Sequence, residues 1–96
     1  MVKYEKGGNK AKKDKFIGKT VILDTESRWL YVGRLKKITS DYFIMENVDA
    51  HDLTETSTTR RDYLVEIRET GLVANRNLVM VRKEKIVSFS LLEDAI

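Results

Sequence analysis

Apolar and polar positions alternate most clearly in the first half of the chain. Trp29, Tyr31, Gly33 and Leu35 interleave with Leu30, Val32, Arg34 and Lys36, the two-residue period of a strand with one buried face. A short β-branched run, Thr20-Val21-Ile22-Leu23, precedes it across the turn-forming Asp24-Thr25-Glu26-Ser27. After the turn Thr39-Ser40-Asp41, a third strand opens with Tyr42-Phe43-Ile44-Met45 and runs to about Val48; Asp49 to Thr56 reads as a polar, acidic loop. Near the end, Leu78-Val79-Met80-Val81-Arg82 and Ile86-Val87-Ser88-Phe89-Ser90-Leu91 predict two short strands around the charged turn Lys83-Glu84-Lys85. Gly33, inside its strand, marks a place where the backbone bends or admits a close neighbour.

Two segments carry a helical pattern. Residues 57–70 begin with hydroxyl side chains suited to a cap, carry Tyr63, Leu64 and Ile67 on one stripe, and stop at Gly71. The competing reading is a strand with Tyr63, Val65 and Ile67 on one face; the strong helix formers and the terminal glycine favour the helix. Nearer the front, Asn9 caps a predicted short N-terminal helix over residues 10–17 that ends at Gly18. Residues 1–9 read as a flexible basic tail, which leaves 10–96 as one domain. Five short, mostly antiparallel strands with a bending glycine bury their apolar faces best by curling together. The expected fold is mainly β, a small five-stranded bent antiparallel barrel with an inserted helix near 57–70. A barrel this small leaves strand edges with unpaired backbone groups, and a neighbouring copy of the chain would satisfy them.

Charge changes this picture at one end. Seven lysines against Glu5 and Asp14 give residues 1–19 a balance of +5, while residues 20–96 carry −2. A lysine-rich front is a solvated tail or a phosphate-contacting arm, and the two roles are compatible. The chain has no cysteine, hence no disulfide or thiolate framework. No apolar run approaches the roughly 20 residues of a membrane span, and Met1 to Gly8 lack the apolar stretch of a secretory signal. A cytoplasmic protein without a membrane partner is the expectation. One histidine, no cysteine and no phosphate-cradling glycine loop argue against an enzyme and against a cofactor.

The order of these segments resembles the Sm-like family. Ile17-Gly18-Lys19-Thr20-Val21-Ile22-Leu23 is similar to that family's exit from its first helix into strand one. Tyr31-Val32-Gly33-Arg34-Leu35 is similar to its glycine-centred second strand, and Val79 to Phe89 to its second motif. The likeness covers about residues 10–51 and 78–92, with the helix near 57–70 as an enlarged variable segment. It implies a strongly bent five-stranded barrel, a homo-oligomeric ring joined through strand edges, and single-stranded RNA as the partner. Two placements of the family's aspartate are open: Thr39 without a gap, or Asp41 with two extra turn residues. In the second, Phe43 stands at the base-stacking position and Met45 replaces the usual asparagine. Arg82 matches the second motif's arginine, and Lys83 stands where glycine is usual.

The nucleic-acid-binding candidates are therefore Asp41, Phe43, Arg82 and Lys83. Each has a plainer reading. Phe43 is a stacking platform or a core aromatic, and Arg82 a base or phosphate contact or the ion-pair partner of Glu84. Lys83 and Lys85 are more often solvated than functional, and Trp29 is core or interface. His51 between Asp49 and Asp52 is a weak metal pattern, and no metal site is expected. The function expected is RNA binding by a ring-forming Sm-like protein. The alternative is a ring-forming or scaffold protein-interaction module that keeps the barrel without the RNA pocket.

Overall fold

The computed structural model describes residues 15–96. Five antiparallel strands form one sheet: β1 (Thr20–Thr25), β2 (Trp29–Ile38), β3 (Tyr42–Asp52), β4 (Arg76–Arg82) and β5 (Ile86–Leu91), in the spatial order β4-β3-β2-β1-β5. The one α-helix among the described residues, α1 (Arg60–Thr70), lies between β3 and β4 in the chain. Short 3-10 turns at Lys83–Lys85 and Leu92–Asp94 flank β5. β4 and β5 are the two sheet edges and do not pair with each other. Residues 1–9 and 10–14 of the expected tail and first helix lie outside the described residues, and residues 15–18 form a turn.

The sheet is bent where β2 meets β3. Val32 pairs with Asp49 but Arg34 with Glu46, so β3 carries an extra residue opposite Gly33. Asn47 absorbs it with a left-handed backbone, φ 51°, as a β-bulge does. A Cβ on Gly33 would sit 2.9 Å from Val48 Cγ2 and 3.0 Å from both Asn47 O and Val48 Cα. Glycine is therefore required for the close approach that its place in the strand suggests. The bulge also reverses which residues of β3 face inward: Phe43 and Met45 before it, Val48 and Ala50 after it.

Apolar side chains are buried on both sides of the sheet. Val21, Leu23, Leu35, Met45, Val48 and Val81 form one cluster, closed by Phe16, Phe89 and Leu91. Ile22, Leu30 and Val32, on the opposite face of β1 and β2, pack under Tyr63 and Ile67 of α1 and Leu92. This explains why Thr20 to Leu23 reads as a continuous apolar run: a strand covered on both faces has no polar side to show. Thr59 caps α1, its Oγ1 accepting from Asp62 N at 3.1 Å. Gly71 ends the helix with φ 102°, its N–H donating to Ile67 O at 2.9 Å. The helix thus starts three residues later than the pattern over 57–70 suggests, after the cap-forming hydroxyl cluster.

β3 runs four residues beyond Val48, through the segment that reads as an acidic loop. Its polar groups are met by partners distant in sequence. Asn75 Oδ1 accepts from Ala50 N at 2.9 Å, and its Nδ2 donates to Ala50 O and Asp49 Oδ1, both at 3.1 Å. The Tyr63 hydroxyl donates to Asp49 Oδ2. Burial pushes the Tyr63 hydroxyl pKa up, and the Asp49 carboxylate beside it acts in the same direction.

Candidate nucleic-acid interface

Two turns meet at one end of the sheet. Thr39 closes the β2–β3 turn: its N–H donates to Tyr42 O at 2.9 Å and its Oγ1 accepts from Tyr42 N at 3.0 Å. Tyr42 is the register partner of Arg82, the last residue of β4. Lys83 N donates to Asp41 O at 2.8 Å and joins the two turns through their backbones. Three of the four sequence candidates, Asp41, Arg82 and Lys83, therefore share one small surface.

The aromatic member of that surface is Tyr42. The Arg82 guanidinium lies 5.7 Å from the Tyr42 ring centroid, and Arg82 Nη1 is 3.5 Å from the Tyr42 hydroxyl. Arg82 Nε also donates to Glu84 Oε1 at 2.8 Å, the ion pair that its plainer reading expects. The Glu84 contact holds the guanidinium pKa above even its usual high value. Phe43 points the other way. It is 4% exposed, packs against the inner cluster, and meets Phe89 edge-to-face with ring centroids 5.1 Å apart. Its ring has no open face for a base, so the core reading of Phe43 fits its position. Met45, at the motif's asparagine position, is fully buried. The alternation of β3 carries the signal for Tyr42: Phe43 and Met45 share one face, and Tyr42 stands on the other.

The chemistry available here is contact with a flexible polyanion. Lys36 and Lys37 are exposed near the end of β2, separated from β4 by β3. An arginine held against a phenol ring offers planar stacking and charge together. A single carboxylate pair, Asp41 and Glu84, bounds the patch and neutralises part of it.

The His51 pattern resolves into two separate arrangements. The imidazole stacks on the Tyr63 ring, centroids 3.8 Å apart and planes 9° apart. Asp52 turns away to accept from Thr54 N at 2.9 Å and Thr54 Oγ1 at 2.7 Å, with Arg28 Nε 3.2 Å from its other oxygen. The Thr54 hydrogen bonds, assisted by Arg28, hold the Asp52 carboxyl below the usual carboxylate range. Among the described residues no three histidine, aspartate or glutamate side chains converge on a point where a metal ion could sit. No helix among them is long and apolar enough to cross a membrane. No protein-family model matches the sequence, and no curated protein matches it.

Proposed function

We propose that this chain is a Sm-like, RNA-binding module of the cytoplasm that joins copies of itself edge to edge into a closed ring, and that it binds rather than catalyses. The observation that carries this reading is the strand order β4-β3-β2-β1-β5. That order lays the β2–β3 turn against the β4–β5 turn, which gathers Asp41, Tyr42, Arg82 and Lys83. It also leaves β4 and β5 as open edges, whose N–H and C=O groups need partners. Leu78 and Met80 on β4 are 54% and 53% exposed, and Val87 on β5 is 68% exposed. Pairing β4 of one copy with β5 of the next would cover these side chains and extend the curved sheet. Repetition of one such head-to-tail contact closes a ring when its rotation divides the circle. The ring would then present one Tyr42–Arg82 pair per copy to a single-stranded RNA.

Native mass spectrometry and RNA titration test the two halves separately. The expected result is one discrete oligomer, with uridine- or adenine-rich RNA bound at low salt. Replacing Arg82 and Lys83 together by alanine should lower affinity and flatten the dependence of log K on log salt by roughly 2 counter-ions. A clean monomer refutes the ring. Equal affinity for RNA and for an unrelated polyanion refutes a specific RNA surface.

A second reading is supported by the burial of Phe43 and Met45, the two motif positions expected to touch a base. In it the chain keeps edge-to-edge assembly and serves as a scaffold for protein partners. A discrete oligomer that leaves RNA unbound at low salt would favour it.

A further inference from the structure

A second constellation lies at the opposite end of β2 and β3 from the paired turns. The Trp29 and Tyr31 rings stack nearly parallel, 21° apart with centroids separated by 6.5 Å. The Arg28 guanidinium lies 5.8 Å from the Trp29 centroid. Two adjoining hollows open here. One, about 280 Å³, is lined by Trp29, Tyr31, Leu78 and Arg76, and the other, about 370 Å³, by Trp29, His51, Asn75 and Arg76 together with the three carboxylates Asp49, Asp52 and Glu55. Trp29, Ala50 and Arg76 border both, so the two make one cleft. Its far wall comes from the segment between β3 and β4, which the strand pattern alone does not require.

The charges around the cleft are sorted. Asp52 is held by Thr54 and Arg28, and Asp49 by Tyr63 and Asn75. Two opposite charges remain at its rim. Glu55 is exposed and makes no ion pair among the described residues. Arg76 is likewise exposed; its guanidinium donates to Asn75 O at 3.3 Å and makes no ion pair among the described residues. A cleft that holds an aromatic pair, a carboxylate and a guanidinium together is suited to a nucleotide. A carboxylate has acceptors only, so it pairs with a base edge that presents two adjacent N–H donors. Guanine has that edge in N1–H and the N2 amino group; adenine and uracil each mix a donor with acceptors. A guanidinium pairs with phosphate oxygens through parallel N–H donors.

We propose that this cleft binds a guanine nucleotide: the base stacks on Trp29 and Tyr31, its donor edge meets Glu55, and its phosphate meets Arg76. The ligand comes either as free guanosine monophosphate or as a guanosine within single-stranded RNA. The site is separate from the Tyr42–Arg82 surface, so its test does not depend on that surface binding RNA, and it shares only the β4 residues Arg76, Leu78 and Val79 with the edge that the proposed ring pairs.

Trp29 is the only tryptophan in the chain, and its emission reports on this cleft directly. With excitation at 295 nm, the full chain is titrated with GMP, AMP, UMP and guanosine, and with an adenosine octamer carrying or lacking one central guanosine. Saturable quenching by GMP, at least tenfold tighter than by AMP or UMP, is the expected result for a free nucleotide. Quenching by the guanosine-containing octamer alone assigns the RNA-borne base and equally supports the cleft. Glu55→Gln should remove the preference for guanine, and Arg76→Gln should bring GMP down to the affinity of guanosine. Both residues are exposed, and circular dichroism should show an unchanged fold. Arg82→Ala should leave the quench intact. No saturable quench by any guanine ligand at millimolar concentration overturns the proposal, as does an equal response to AMP or a guanine preference that survives Glu55→Gln.

Discussion

Gly33→Ala tests the bend in the sheet because two effects oppose each other in sign. Within an ordinary strand, alanine stabilises over glycine by about 0.5–1 kcal/mol, because it has less chain entropy to lose. Here the new methyl would meet Val48 Cγ2 at 2.9 Å and the backbone atoms Asn47 O and Val48 Cα at 3.0 Å. Two of these three atoms belong to the bulge backbone, which cannot rotate away as a side chain can. Overpacking of this kind costs about 1–3 kcal/mol, and the mid-range difference is a net loss of about 1 kcal/mol. For a domain of this length that lowers the melting temperature by about 4–8 °C. The assay is thermal and urea unfolding followed by Trp29 emission, at one fixed protein concentration because any self-association adds to apparent stability. Adding Val48→Ala removes only the Cγ2 contact, so a double-mutant cycle should recover part of the loss and not all of it. A midpoint for Gly33→Ala equal to or above that of the wild type would refute the close approach of β2 and β3.

Tyr63→Phe removes the donor to Asp49 and should cost about 1–3 kcal/mol in urea unfolding. The folded pKa of Tyr63 lies above its ordinary 10.0, so its contribution is complete below pH 10 and declines as pH rises beyond it; Tyr63→Phe should lessen that alkaline loss. Asp52 behaves oppositely. Its folded pKa is depressed below 3.8, so its contribution is present above that pH and lost as pH falls through the lowered value; Asp52→Asn should flatten the acid limb of a stability–pH curve. Leu78→Lys with Met80→Lys places two charges on the β4 edge; the proposed edge pairing predicts a monomer by native mass spectrometry for this variant alone, with the strands retained by circular dichroism.

What the sequence reveals depends on whether the forces are local. The alternation in β2 is visible because its opposite faces meet different surroundings, and the cap and terminal glycine of α1 are visible because both act within a few residues. The extension of β3 is hidden: Asp49 to Asp52 look like a loop until Asn75 and Tyr63, from 14 to 26 residues away, satisfy their polar groups. The direction of Phe43 is a subtler case. Its neighbours allow either face, and the inward-facing set changes at Asn47, where a single left-handed residue shifts the register. Asp41, Arg82 and Lys83 stand out only through the likeness to the Sm-like motifs, Asp41 with two extra turn residues allowed. That Tyr42 completes their surface follows only once Tyr42 and Arg82 are known to be register partners.

The amide of Asn75 does for β4 what the alternation of side chains cannot. A slip of one residue along β3 would turn apolar side chains outward and is opposed by the hydrophobic effect, but a slip of two keeps every side chain on its proper face. Asn75 opposes that second slip by gripping the N–H and C=O of Ala50, as a neighbouring strand would, and Lys83 N–H on Asp41 O opposes it from the other end. Spontaneous hydrolysis of this amide would replace two donors with a carboxylate that can only accept and set a new negative charge beside Asp49. The outermost strand would then keep its backbone ties at Val48 O and Asp41 O but lose its side-chain clamp, so chemical ageing at one asparagine would loosen alignment at one end of an entire edge.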